Sequence, residues 1–304
     1  MHSDRVGVVD FPTLGDLVDA WIEQHCRVPD GFKRRKPFRQ YDWQFWFTAN
    51  HYRVREDAVF DADDPPLNQA FTYRRSEVVA SQKTGKGPLT ACLVANFAVG
   101  PTLFGGWAKA GEVWDCAEFG CPCGWYYEYE RGEPKGRRHP SPLVQVLAAS
   151  QEQVANIWRP LTAMIRFPGS PLGKLLLPRE EFIRVVGENE GDPELDRIDA
   201  VTSAARSRLG NPVSDFVQDE TGTYTSSNNM ITTANTMRRG AAGMGGRGVC
   251  TTNVWDPSQD STAQQSWEAN ADDVFIFYRV PPSEWSFQHR GQRRRLLEYV
   301  YAGS

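Results

Sequence analysis

The chain has 304 residues, of which 40% are hydrophobic and 24% charged, with a formal net charge of −4. That length allows one large core or two modest ones. The acidic balance excludes a passive nucleic-acid coat, which carries a basic excess, but not a motor that grips phosphates through one local surface.

In chain order, residues 11–30 read as an amphipathic helix with Leu14, Leu17, Val18, Trp21 and Ile22 on one side. A basic cluster, Lys33 to Lys36, leads into the aromatic segment "FRQYDWQFWF", and residues 56–70 are acidic and proline-interrupted, as in a surface loop. Apolar runs at 77–81, 143–150, 182–186, 213–218, 248–253 and 274–278 read as buried strands, with helix-like stretches such as 152–165 between them. Strands alternating with helices predict an α/β fold with a mostly parallel sheet covered on both faces. Residues 105–142, rich in Gly, Pro and aromatics, read as an irregular excursion or a small hairpin. The end, "HRGQRRRLLEYVYAGS", reads as a linker or helix leaving the core.

Six cysteines show no framework spacing. Cys116, Cys121 and Cys123 suggest zinc, but no CxxC pair or nearby histidine completes a site, so reduced thiols in a reducing compartment are expected. The N-terminus carries Asp4 and Asp10 and lacks a signal-peptide core. Gly87 to Ala108 is long and uncharged, yet Asn96, Pro101 and several glycines interrupt it, so it reads as a buried helix plus turn.

Four segments point to chemistry. The first, "VVASQKTGKGPLT", sets a β-branched run before a loop ending Gly85-Lys86, close to the phosphate-loop pattern G-x-x-x-x-G-K-[ST]. Ala80 stands where its first Gly belongs and Gly87 where its Ser/Thr belongs. Lys86 is the expected phosphate lysine, with Lys83 as a second cation and Ser81, Gln82, Thr84, Gly85 and Gly87 completing the loop. The second, "VSDFVQDET", puts Asp219 and Glu220 at the carboxyl end of a strand, where one carboxylate can hold magnesium and the other polarise a water. The third ends another strand in Thr251-Thr252-Asn253, groups suited to a γ-phosphate or its water. In the fourth, Gln44 beside Trp43, with Gln40 second, offers an amide that can pair with adenine.

This order of elements resembles the ATPase half of the large terminase subunit of tailed bacteriophages. The resemblance covers most of residues 36–285, and its most specific part joins "DET" to "TTN" through the Gly- and Arg-rich "MRRGAAGMGGRGVC". It implies a P-loop NTPase core of RecA-like (ASCE) type, preceded by an N-terminal helical segment (1–35) and followed by a linker (286–304). By position, Lys86 becomes the phosphate-loop lysine, Asp219 the magnesium aspartate, Glu220 the catalytic base, Thr251 to Asn253 the coupling motif and Gln44 the adenine contact. An arginine acting on a neighbouring subunit would be Arg208, or else Arg206. ATP and Mg2+ are the implied ligands. Double-stranded DNA, the portal protein, the small terminase subunit and a homo-oligomeric ring are the implied partners, in the cytoplasm of a bacterial host.

Two departures matter. Gly87 puts direct magnesium binding by a loop hydroxyl in doubt. The chain also stops about twenty-five residues after "VFIFYRVPP", too few for the nuclease domain that usually follows, so no nuclease activity is expected. A helicase-type motor and a degenerate nucleotide-binding module remain the alternatives.

Overall fold

A computed structural model describes residues 2–3, 6–186, 195–202, 211–279 and 281–301. In chain order its elements are β1 (His2–Ser3), α1 (Gly15–His25), α2 (Asp42–His51), β2 (Arg75–Ala80), α3 (Lys86–Val99), β3 (Leu103–Trp107), β4 (Val113–Asp115) and β5 (Tyr126–Glu128). Next come β6 (Pro134–Arg137), β7 (Leu143–Ala148), α4 (Gln151–Arg166), α5 (Leu172–Leu175), β8 (Leu176–Pro178), β9 (Phe182–Val185) and β10 (Arg197–Thr202). The last are β11 (Asp215–Asp219), α6 (Met230–Gly243), β12 (Arg247–Thr252), α7 (Thr262–Ala269), β13 (Val274–Arg279) and α8 (Arg290–Val300).

Among the described residues, nine strands form one sheet in the order β1-β13-β2-β12-β11-β7-β10-β9-β8. The pairs from β1 to β10 are parallel, and β9 and β8 close one edge antiparallel. Because side chains alternate across a strand, Val78, Val146, Val217, Val249 and Phe277 bury one face in a large cluster shared with α1 to α4. The opposite face packs Leu147, Phe216 and Cys250 under α6, while Val79, Val274 and Ile276 meet Trp255 and Trp267. With both faces covered, the strands read as apolar runs, and that is why six of them were legible. β10 was not, since Arg197 and Asp199 break up its apolar pattern.

The strand carrying "TTN" lies between the strand before the Gly85-Lys86 loop and the "DE" strand: β12 pairs with β2 on one side and β11 on the other. All three run the same way, so their carboxyl ends share one edge. Open parallel sheets bind ligands at this edge.

A buried cation ties α2 to the sheet. Arg247 donates to the carbonyls of His51 (2.6 Å) and Thr102 (3.3 Å), and its guanidinium lies 3.5 Å from the centre of the Phe71 ring. Nearby Asp215 is pushed up to about 8 by burial, which outweighs the opposing pull of Arg247.

Two sequence expectations need correction. The C-terminal helix does not leave the core: Leu296 is buried, and Arg279 at the end of β13 donates to the Tyr299 carbonyl, 2.5 Å away. The view that no histidine approaches the cysteines also fails. The excursion is two small antiparallel pairs, β3–β6 and β4–β5, and its three cysteines surround His25, the last residue of α1.

Gly248 pairs across the strands with Phe216, and a Cβ there would lie 2.1 Å from that ring. Gly248→Ala should therefore lower stability by about 1–3 kcal/mol. Gly243→Ala, at a helical site with open space around it, should raise it by about 0.5–1 kcal/mol. Urea midpoints at unchanged slope check both.

Candidate functional site

The loop after β2 turns through Lys83 (φ 65°) and Gly85 (φ 92°), both left-handed, and delivers Lys86 as the first residue of α3. Glycine takes that conformation without strain; Lys83 pays about 1 kcal/mol for it. Ser81 is half-buried, Gln82 and Lys83 are exposed, and Thr84 is buried with its hydroxyl donating to the Ser81 carbonyl (2.9 Å). The main-chain N–H groups at a helix start are unpaired within the helix and favour anions.

Lys86 is buried, and its ammonium donates to the carbonyls of Ala80 (2.5 Å) and Ser81 (3.0 Å) and to Asn253 Oδ1 (3.0 Å). Burial lowers its pKa, and the charges of Glu220 and Asp219 oppose that shift. At the end of β11, Glu220 takes a left-handed conformation (φ 59°, ψ 46°), unusual for a non-glycine residue. Its Oε2 accepts from Asn253 Nδ2 (2.9 Å) and, at 3.4 Å, from the Asn253 backbone N–H. One asparagine amide therefore joins Lys86 to Glu220. Asp219 is buried and accepts from the Thr251 hydroxyl. Thr252 Oγ1 accepts from Gly222 N–H (2.8 Å), tying the turn after "DE" to the neighbouring strand. Lys86, Asp219, Glu220, Thr251, Thr252 and Asn253 are thus brought together. Arg206 and Arg208 lie outside the described residues.

Gln44 is also adjacent, although its amide is engaged at both ends. Oε1 accepts from Tyr41 N–H (3.0 Å), and Nε2 donates to the Gly85 carbonyl (3.3 Å). Both Gln44 and Gly85 line a cavity of about 460 Å³ with Pro29, Phe38, Tyr41 and Pro88. Gln40, also on its wall, is held by Asp19 and Thr48.

The sequence reading missed two supports. Glu77, buried in β2, accepts from the Thr221 hydroxyl (2.7 Å). Arg238 on α6 donates to Gln218 (2.9 Å). Since Glu77, Cys250 and Gln218 are register partners across β2, β12 and β11, they form a polar row one residue behind the site. A carboxylate at the head of the apolar run 77–81 was the available signal.

The structure also explains Gly87. A Cβ there would lie 2.9 Å from the carbonyl oxygen of Asn156 on α4. That carbonyl has no helical donor, because the residue four positions on is Pro160, which lacks an N–H. The loop position that usually supplies a hydroxyl thus packs against backbone. Of the residues gathered at this edge, Asp219 is the buried strand-end carboxylate that could hold a magnesium ion.

No protein-family model and no curated protein sequence matches the chain. Among solved structures, the large terminase of bacteriophage HK97 superposes with a TM-score of 0.62 at 15% identity, over 96% of this chain and 48% of that one. The chain therefore spans about half the length of that terminase. A variant ATPase domain of the large terminase of Thermus phage P74-26 gives a TM-score of 0.38 at 10% identity, over 79% of this chain and 93% of that one. The HK97 likeness shows the fold: the chain shares the mostly parallel α/β arrangement of that structure.

Two predictions follow from the packing and the charge. Gly87→Ser, although it restores the usual residue type, should lower stability by about 1–3 kcal/mol through its contact with the Asn156 carbonyl, read as a fall in urea midpoint. For Asp219, burial pushes the pKa from 3.8 up to about 6. The folded chain then keeps a proton that the unfolded chain has lost between those values, so stability falls as pH rises from about 4 to about 6. Asp219→Asn should remove that fall. Relative to wild type it should gain about 1–3 kcal/mol between pH 4 and pH 7, measured by denaturant titration at both pH values.

Proposed function

We propose that the chain is the ATPase part of a viral DNA-packaging motor, hydrolysing ATP to drive double-stranded DNA into a preformed capsid. The observation that carries this reading is the convergence of Lys86, Asp219, Glu220 and Asn253 from three adjacent strand ends upon one helix N-terminus. Phosphate transfer demands positioning and charge compensation more than covalent chemistry, and these groups supply both.

In this reading the N–H groups from Ser81 to Lys86 wrap the phosphates, and Lys86 compensates their charge with help from Lys83. Magnesium held by Asp219, when bound with the nucleotide, neutralises phosphate charge. Glu220 accepts a proton from the attacking water while Asn253 fixes its orientation. Thr252 couples the same strand end to the turn after Glu220. The cavity beside Gly85 takes the base, with Tyr41 and Phe38 as apolar walls and Gln44 at its inner end. An arginine from a neighbouring subunit, Arg208 or else Arg206, completes the charge compensation in a ring. DNA, a portal and a small terminase subunit are the partners of such a ring, in a bacterial host's cytoplasm. Among the described residues no helix is long and apolar enough to cross a membrane.

One observation favours a second reading. Gly87 carries no hydroxyl for magnesium, which suits a module that binds nucleotide without turning it over.

Glu220→Gln keeps the side-chain shape and removes the base. Binding of a fluorescent ATP analogue should persist while turnover falls by about 10²–10⁴. Lys86→Ala should weaken binding or turnover more than Lys83→Ala. Nucleotide binding by wild type without turnover, with or without DNA, selects the binding module instead.

A further inference from the structure

We propose that His25, Cys116, Cys121 and Cys123 form a closed tetrahedral zinc site that fastens the 103–137 excursion to the first helix. The inference is independent of the nucleotide reading, since none of these residues contacts the phosphate loop or the strand ends described above.

The geometry comes first. The Sγ atoms of Cys116, Cys121 and Cys123 each lie 3.5 Å from the same atom, His25 Nε2. The four ligand atoms all fall within 4.8 Å of one another. Hydrogen bonding does not account for this convergence, because an imidazole nitrogen has either one N–H or one lone pair. A shared cation does. With Zn–S near 2.3 Å and Zn–N near 2.05 Å, a tetrahedron has N···S edges of about 3.6 Å and S···S edges of about 3.8 Å. The observed N···S spacing is that edge, within about a tenth of an ångström.

The histidine is prepared for the role. Its Nδ1 lies 2.8 Å from the Trp21 carbonyl, so Nδ1 carries the hydrogen and Nε2 presents its lone pair to the thiols. Metal-binding histidines are oriented in this way by their outer hydrogen bond. Trp21 stacks on the ring at 4.5 Å and 14°, and Trp125 meets it edge-on at 5.8 Å. The ring is thus clamped on two sides.

The cysteine segment is shaped to match. Asp115 caps a short turn by accepting from Ala117 N–H (2.8 Å), and Cys121 N–H donates to the Cys116 carbonyl (3.0 Å). Gly120 (φ 74°) and Gly124 (φ 70°) supply the left-handed residues that bend the chain around the thiols. Cys116, Cys121 and His25 are buried while Cys123 is only half-buried, which leaves an entry path for the ion. Three thiols and one imidazole select zinc over magnesium or calcium, which take oxygen ligands. The protein fills all four positions, so the site is structural, with no open place for a substrate.

The need for it is visible in the fold. β4 and β5 are three residues each and β3 and β6 are barely longer, and isolated two-stranded pairs are marginal on their own. A metal joining the β4–β5 turn to the end of α1 supplies the missing closure. The next turn of chain, Val28 and Pro29, lines the cavity beside Gly85, so the same staple also fixes one wall of that cavity.

Purified full-length chain, prepared without chelator, should contain one zinc per chain by mass spectrometry of metals. Replacing zinc with Co2+ should give the intense visible bands and near-ultraviolet thiolate charge-transfer band of tetrahedral cobalt. Cys121→Ser with Cys123→Ser should abolish both signals, whereas Cys26→Ala and Cys92→Ala should leave them intact. If the double variant fails to fold, the wild type still decides: stripping it with a chelator should open residues 105–142 to protease, and added zinc should close them. A wild-type chain that binds no zinc after reconstitution, or gives only the pale spectrum of hexa-aqua cobalt, overturns the proposal. So does zinc content that survives the double substitution.

Discussion

A buried ammonium is the constraint on which the site depends. Lys86 cannot sit inside the protein without partners, because an unpaired buried charge costs several kcal/mol. Two of its acceptors are carbonyls of the preceding loop and the third comes from the end of β12. Only a strand immediately beside β2 can bring an amide that close, and β12 occupies that place. The strand order is thereby coupled to the electrostatics: with β12 between β2 and β11, Asn253 reaches Lys86 on one side and Glu220 on the other.

The polar row behind the edge makes the arrangement stiff. Glu77, Cys250 and Gln218 lie in register across the three strands. Thr221 from the turn after Glu220 bonds to Glu77, and Arg238 bonds to Gln218. Burial lowers the Arg238 pKa, and the Gln218 carbonyl bonded to it compensates part of the cost of its burial. Groups of this kind are expensive unless satisfied and rigid once they are. They hold the turn bearing Glu220 in a left-handed conformation that the residue would not adopt alone.

Much of this was legible in the sequence. β-branched runs gave β2, β7, β11, β12 and β13, because a sheet covered on both faces needs apolar residues on every strand. The short polar ends "TTN" and "DE" mark where those strands reach the carboxyl edge of the sheet. What escaped depends on contacts between distant segments. His25 lies 91 residues before Cys116, and no local spacing could pair it with cysteines of a later hairpin. Gln44 could be singled out from the sequence, but the engagement of its amide by Tyr41 and Gly85 could not be read there. The register row containing Glu77 is invisible until strands are paired.

Gly87 joins these levels. In sequence it departs from the phosphate-loop pattern; in the fold it packs directly against the backbone of α4. Pro160 removes the N–H that would occupy the Asn156 carbonyl, and that oxygen then faces the position where a side chain at residue 87 would begin. A hydroxyl-bearing residue would drive the helices apart, and α3 carries Lys86 at its first turn, so any such shift would move the ammonium away from Asn253. Close packing of α3 and the position of the lysine are thus one constraint.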